Sequence, residues 1–300
     1  CGGKLDIAGM ILKLRTKFAQ EDGLNPVHKF CLDTVADRHL FHSMLRIASV
    51  AQGMITKGQP MIRHLPMFLS GLTAGRSLPS IAPQPFRDIL PTIKQDVPNP
   101  KGKIAIFTGC LLDFVYVDIA TDVVKALNMA GYIVEMPLGQ ACCGAPATYM
   151  GDVENAKKAA ELNLNAMEAE KYDYIVSACP TCTHALRDYV DFFKDDPEML
   201  KKAEELRSKT FDFCKLVSML GGLPDTGDGV PMKVTYHDSC HLNRYLGVTK
   251  EQRELLKATK GVELIEMHDC DKCCGFGGSY SVKFPEMSAP ILEEKINNIV

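Results

Sequence analysis

The stretch "YIVEMPLGQACCGAPATYMGDVENAKKAAELNLNAME", residues 132–168, reads as a strand, a loop and a helix. "YIVEMPL" is an apolar run of strand length, and Asp152 stands as N-cap of the periodic helix "DVENAKKAAELNLNAMEAE". The alternation continues on both sides. Upstream, "KIAIFTGC" (103–110) is a short buried strand ending at Cys110, and "DFVYVDIATDVVKALNMAG" is an amphipathic helix stopped by Gly131. Downstream, "YDYIVSAC" is a strand ending at Cys179, and "PTCTHALRDYVDFF" opens a helix with Pro180 at its first position. Strands alternating with helices predict an α/β fold with a parallel, Rossmann-like sheet.

The pattern then begins again. "KVTYHDSC" (233–240) matches "KIAIFTGC", and "VELIEMHDCDKCCGFGG" (262–278) matches "YIVEMPLGQACCGAPA". Cys240 lies 130 residues after Cys110, and Cys273 lies 131 after Cys142. A near-constant offset predicts an internal duplication. Two pseudo-repeated Rossmann-like units are expected, at 101–226 and 227–300, jointed at "GGLPDTGDGVP" (221–231). The second is expected to be incomplete, because the counterpart of "CPTC" (179–182) falls near position 310, past Val300. Residues 1–100 read as a helical segment. Asp6 is its first N-cap, and the proline-rich run "RSLPSIAPQPFRDILPTIKQDVPNP" (76–100) is an extended linker closing it.

The chain of 300 residues carries a formal charge of −3 and is 46% apolar, enough to bury a large core. That charge points to no nucleic-acid partner. The most apolar stretch is interrupted by Arg46, Lys57, Arg63 and His64, so it does not read as a membrane span. Twelve cysteines are present, and only Cys1, Cys31 and Cys214 stand apart from the others. Clustering of this kind favours metal or redox chemistry over a secreted disulfide framework. The neighbours Cys142 and Cys143 resist pairing with each other. Adjacent Cα atoms sit about 3.8 Å apart, whereas an unstrained disulfide wants roughly 4.4–6.8 Å.

Ligands of an open parallel sheet gather at the carboxyl ends of its strands. Cys110, the pair Cys142–Cys143, and Cys179 each follow a predicted strand, and Cys182 lies in the first turn of the next helix. Five sulfurs therefore converge. Zinc takes four ligands and would leave one as a spectator. An iron–sulfur cluster takes cysteines on different irons, so adjacent residues can serve two metals. The positive end of the helix starting at Pro180 favours thiolates at Cys179 and Cys182. The second unit repeats Cys240, Cys273 and Cys274. Cys270, three residues before Cys273, has the spacing of a metal clip and is a candidate fourth ligand for a cluster or for zinc.

The run Cys110, Cys142-Cys143-Gly144, Cys179-Pro-Thr-Cys182, with its partial repeat, resembles the cysteine-rich CCG domain. That domain occurs in heterodisulfide reductases and in the iron–sulfur subunits of glycolate oxidase, anaerobic glycerol-3-phosphate dehydrogenase and lactate-utilisation complexes. The resemblance covers residues 101–300. It implies an iron–sulfur cluster on each complete motif, [4Fe–4S] and in some members non-cubane; the Cys270–Cys273 spacing keeps zinc as the alternative at the second motif. Residues 1–100 resemble the segment that follows a ferredoxin domain in the lactate- and glycolate-oxidising members. Cys1 then reads as the last cysteine of a ferredoxin-type cluster motif, and the chain as part of a longer ferredoxin–CCG fusion.

The resemblance implies an electron-transfer subunit of an oxidoreductase complex. The expected partners are a flavin- or cluster-containing dehydrogenase subunit and, as acceptor, a quinone or carrier protein. The expected location is cytoplasmic, at most peripheral to the inner face of the membrane. Two alternatives stand beside it: disulfide reduction at the cluster, as in heterodisulfide reductases, and a zinc-stabilised scaffold without catalysis. Among the remaining candidates, His237 and His241 flank Cys240 and are expected to be satisfied by backbone. "GFGGS" (275–279) lacks the spacing of a nucleotide loop. Cys31 and Cys214 are expected as buried core thiols, and the Met-rich stretch 44–67 as core or interface.

Overall fold

A computed structural model describes residues 5–56, 61–62, 77–224, 229–278 and 280–299. Cys1 and much of the Met-rich stretch lie outside the described residues. The chain divides into two compact units, Cys1–Pro60 with Pro79–Phe211, and Met61–Leu78 with Asp212–Val300.

The first unit opens with helices α1 (Ile7–Glu21), α2 (Pro26–Ala36) and α3 (Arg38–Thr56). Asp6 caps α1 as expected, accepting from the Gly9 N–H at 2.9 Å. Cys31 on α2 is exposed rather than buried, because α2 buries Leu32, Thr34 and Ala36 instead. The proline-rich run is more than a linker. It holds a helical turn α4 (Phe86–Ile89) that continues as a 3₁₀ turn, Leu90–Thr92, with Phe86 and Leu90 buried. Pro91 stands at the start of that second turn, where its missing N–H costs nothing.

The sheet follows. Its elements are β1 (Gly102–Ile106), α5 (Leu111–Phe114), α6 (Val117–Met129), β2 (Tyr132–Glu135), α7 (Ala145–Met150), α8 (Val153–Met167), β3 (Tyr174–Ser177), α9 (Pro180–Asp188), α10 (Pro197–Lys209) and β4 (Thr210–Asp212). Strand order is β2-β1-β3-β4, and β1 runs parallel to both β2 and β3. Two boundaries differ from the sequence reading. β1 stops at Ile106, so Cys110 sits on a loop beyond it, and β3 stops at Ser177, two residues before Cys179. The helix expected over 113–131 breaks into α5 and α6 at Val115 and Tyr116, where β-branched and aromatic residues interrupt better helix formers. The edge strand β2 is closed by Gln95. Its side-chain amide accepts from the Val134 N–H and donates to the Val134 carbonyl, both at 2.8 Å, as a neighbouring strand would.

The second unit holds α11 (Phe213–Met219), β5 (Met232–Val234), α12 (Glu251–Ala258), β6 (Val262–Leu264), α13 (Tyr280–Lys283) and α14 (Pro285–Asn297). Cys214, at the start of α11, is only partly buried. β5 and β6 are parallel, with Met232 opposite Val262 and Val234 opposite Leu264. In the first unit Gly102 faces Tyr132 and Ile104 faces Val134. Each pair of the second unit is a pair of the first moved on by 130 residues, so the duplication is in register at the level of strand pairing. The chain is thus an α/β protein of two pseudo-repeated units preceded by helices.

Candidate metal centre

The five cysteines of the first motif come together. Cys110 starts α5, Cys142 and Cys143 lie on the loop after β2, and Cys179 and Cys182 open α9. Their thiols make a chain of contacts in the order Cys110, Cys142, Cys143, Cys182, Cys179. Cys143 and Cys182 belong to the hydrophobic core itself, among Phe107, Leu164, Met167, Ile175, Leu186 and Tyr189. Water is thereby excluded from the sulfurs on the protein side.

Three polar side chains hold the loops in place. Gln140, buried, accepts from the Thr108 N–H (2.8 Å) and donates to the Ile106 and Pro137 carbonyls (3.1 Å each). It ties the loop after β1 to the loop after β2. Asn163 of α8 accepts from the Ala141 N–H (2.8 Å) and donates to the Cys142 carbonyl (2.9 Å) and to the Tyr189 hydroxyl (3.0 Å). Tyr189 in turn donates to the Cys143 carbonyl at 3.0 Å. Asn163 is 0% and Tyr189 1% exposed, so these bonds are made in a setting where an unmade one is costly.

Two glycines give the sulfurs their room. Gly109 has φ +56, and a Cβ there would stand 2.9 Å from the Cys182 Sγ. Gly144 has φ +79 and is pressed by α8, with a Cβ falling 3.1 Å from that of Ala159. Its counterpart Gly275 has φ +73 and the same need, since a Cβ there would meet the Ser288 carbonyl oxygen at 2.5 Å. The Cys-Cys-Gly turn is therefore one backbone device used twice.

The electrostatics of Cys110, Cys142, Cys143 and Cys182 are set mainly by contacts among the motif's thiols and by burial. Cys143 is drawn down to about 5, first by the contact with Cys142 and then by that with Cys182, against burial. Cys182 is pushed well up by Cys143, by Cys179 and by burial. Cys110 is pushed well up by Cys142 and burial. For Cys142 the contact with Cys110 lowers, but Cys143 and burial together raise it. Cys143 is thus the sulfur drawn toward thiolate, while burial and neighbouring sulfurs hold Cys110, Cys142 and Cys182 toward the thiol. The backbone N–H groups of Gly144 and Ala145 act on the Cys142 and Cys143 sulfurs in the sense that favours thiolate.

Such a donor set fits a soft, multi-iron group. It supplies thiolate ligands, amides directed at sulfur and a dry pocket, and a metal would provide the missing countercharge. Among the described residues, no three His, Cys, Asp or Glu side chains are gathered round one point as a single ion would require. The sulfurs instead touch in succession, each with one or two of the others.

In the second unit Cys240 is raised by burial and then by Cys273, with Cys274 also acting on it, so these three are neighbours. Cys270 has a partner of its own. Its thiol donates to Asp238 (3.2 Å), whose carboxylate is held by Arg253 at 2.8 and 3.0 Å. The loop is fixed by the buried Lys295, which donates to the Asp269 (2.8 Å) and Cys270 (2.9 Å) carbonyls. His237 contacts the Cys270 carbonyl at 3.0 Å, a backbone partner as expected, and His241 stacks on Tyr245. His184 pairs with Asp188 at 3.0 Å.

Comparison with known proteins matches the cysteine-rich domain CCG to residues 104–187 and again to residues 234–300. The chain belongs to the CCG family of cysteine-rich iron–sulfur proteins. Both matches begin within a first strand of a repeat, β1 and β5, in agreement with the strand register. The chain is also similar to lactate utilization protein A of Bacillus velezensis, with 38% identity over 194 residues, 65% of this chain and 81% of that protein. Lactate utilization protein A of Shouchella clausii is 38% identical over 196 residues with the same coverage, and that of Bacillus subtilis 37% over 194.

Asn163, Tyr189 and Gln140 are not among the candidates that the sequence singles out. One signal points to Asn163. It shares the buried face of α8 with Ala156, Ala159, Ala160 and Met167, where a polar residue needs a partner.

Proposed function

We propose that the protein is the iron–sulfur electron-transfer subunit of an oxidoreductase complex serving lactate utilisation, the role named in its relatives. The observation that carries this reading is the gathering of five sulfurs beyond three strand ends, those of Cys142, Cys143 and Cys182 buried, inside the family's own motif. Cys110, Cys142, Cys143, Cys179 and Cys182 are the ligands of a [4Fe–4S]-type cluster, and Cys240, Cys273 and Cys274 serve the second site. When bound, such a cluster takes up and releases single electrons. Cys142 and Cys143 present adjacent sulfurs, Cys179 and Cys182 present two more from the start of α9, and the apolar residues around them keep water away.

Substrate oxidation belongs, in this reading, to a flavin- or cluster-bearing partner subunit, and a quinone or carrier protein is the acceptor. Exposed apolar side chains support a partnered chain. Ile7, Met10, Ile11, Leu14 and Phe18 lie along one face of α1 at helical spacing and face solvent. The place of action in this reading is the cytoplasmic side, free or against the membrane face. Among the described residues no helix is long and apolar enough to cross a membrane.

The test separates electron transfer from disulfide reduction. Iron-loaded protein, reduced chemically without oxygen, is mixed in a stopped-flow instrument with a soluble quinone or with a small disulfide. Reoxidation by the quinone in one-electron steps, with no steady consumption of disulfide under a continuous electron supply, is expected. Sustained disulfide turnover would replace this reading with a heterodisulfide-type reaction.

A further inference from the structure

Two thiols on neighbouring residues, buried together, invite closure into a vicinal disulfide, and such a disulfide would remove two ligands at once. Closure demands torsion of the Cys142–Cys143 backbone, because the relaxed spacing of adjacent Cα atoms is too short for the bond. The structure pins that backbone at three successive points. The Ala141 N–H and the Cys142 carbonyl are both held by Asn163, and the Cys143 carbonyl is held by Tyr189. Asn163 also donates to Tyr189, so the two side chains form one hydrogen-bonded brace with every polar atom of the Asn163 amide in use. The brace acts on the loop's backbone and leaves the two sulfurs to the metal.

We infer that Asn163 and Tyr189 are positioning residues that keep Cys142 and Cys143 as an open dithiol, ready for metal, by preventing the turn of backbone that would let their sulfurs close on each other. The inference rests on the cluster reading only in naming the pair as ligands. The second unit is held differently. Glu294, which stands 131 residues after Asn163, is paired with Lys272, and Lys295 holds the carbonyls of Asp269 and Cys270 instead. The brace is thus a property of the first site.

Closure breaks both S–H bonds and forms one S–S bond. A small-molecule disulfide supplied as oxidant accepts the two electrons and two protons and leaves as two thiols. The experiment uses the full chain, metal-free and reduced, exposed without oxygen to oxidised glutathione. Samples are alkylated over time, and the peptide containing both cysteines is weighed for the loss of two hydrogens. Tyr189→Phe keeps the buried ring and removes only the hydroxyl, while Asn163→Ala removes the whole brace. Closure about tenfold faster in Tyr189→Phe, and faster again in Asn163→Ala, is expected, on the scale of the one bond Tyr189 makes to the loop backbone and then of the two that Asn163 makes to it. Asn163→Asp retains the acceptor for Ala141 but not the donors, and its rate falls between wild type and Asn163→Ala. Equal closure rates in wild type and a Tyr189→Phe protein with native circular dichroism would overturn the inference. Because no iron is present, this result stands or falls separately from the cluster reading.

Discussion

Replacing Asp113 by alanine is expected to destabilise the first unit by about 3–5 kcal/mol, the cost of leaving one member of a buried ion pair alone. Asp113 is 0% exposed, three residues after Cys110, on the short helix α5. Its carboxylate accepts from the Arg87 Nε at 2.7 Å and from the Arg87 backbone N–H at 3.0 Å, and the guanidinium lies over Phe114. Burial nevertheless pushes the Asp113 carboxyl up, with Arg87 opposing. Desolvation therefore outweighs the attraction, and the pair adds little net stability. The penalty appears when it is broken, as a buried guanidinium and a backbone N–H without their acceptor. Thermal unfolding read by circular dichroism should show a fall on the order of 10 °C. The double change Asp113→Leu with Arg87→Met should recover most of it, since neither charge then remains buried. A single Asp113→Ala variant with wild-type stability would mean that the proline-rich segment is not anchored through this pair.

Substituting Cys143 by serine is expected to remove nearly all iron from the first site while leaving the fold intact. Cys143 is the middle of the thiol chain, in contact with both Cys142 and Cys182. A hydroxyl is close in size to a thiol but remains protonated and hard, so it does not replace a thiolate ligand. Iron per chain, measured after anaerobic assembly, should drop by the share of the first site, with far-ultraviolet circular dichroism unchanged. The matching change at Cys31, exposed on α2 and apart from the motif, should leave iron unaltered.

The alternation of strands and helices, the duplication and the five-cysteine convergence are all legible in the residues. Each rests on a short-range signal: β-branched apolar runs, Asp152 and Pro180 at helix starts, and a repeated Cys-Cys-Gly. What escapes depends on tertiary context. Nothing local in "KIAIFTGC" says that β1 ends at Ile106 rather than at Cys110, because the strand stops where Gln140 and Gly109 redirect the loop. Cys270 resembles a clip with Cys273 on spacing alone, yet Asp238, brought in from 32 residues away, takes its thiol. The proline-rich run reads as extended from its composition, and its burial comes from Phe86 and Leu90 finding an apolar site in the folded unit. Asn163 and Tyr189 lie 26 residues apart and meet only when α8 and the segment after α9 pack together.

The most direct test of the central claim is the iron and acid-labile sulfide content of protein purified without oxygen, with electron paramagnetic resonance on the reduced sample. Iron and sulfide in matching amounts, a signal of a reduced cluster, and protection of Cys110, Cys142, Cys143, Cys179 and Cys182 from alkylation are expected. Protein that holds zinc or no metal, with those five cysteines all alkylated as free thiols, would contradict it.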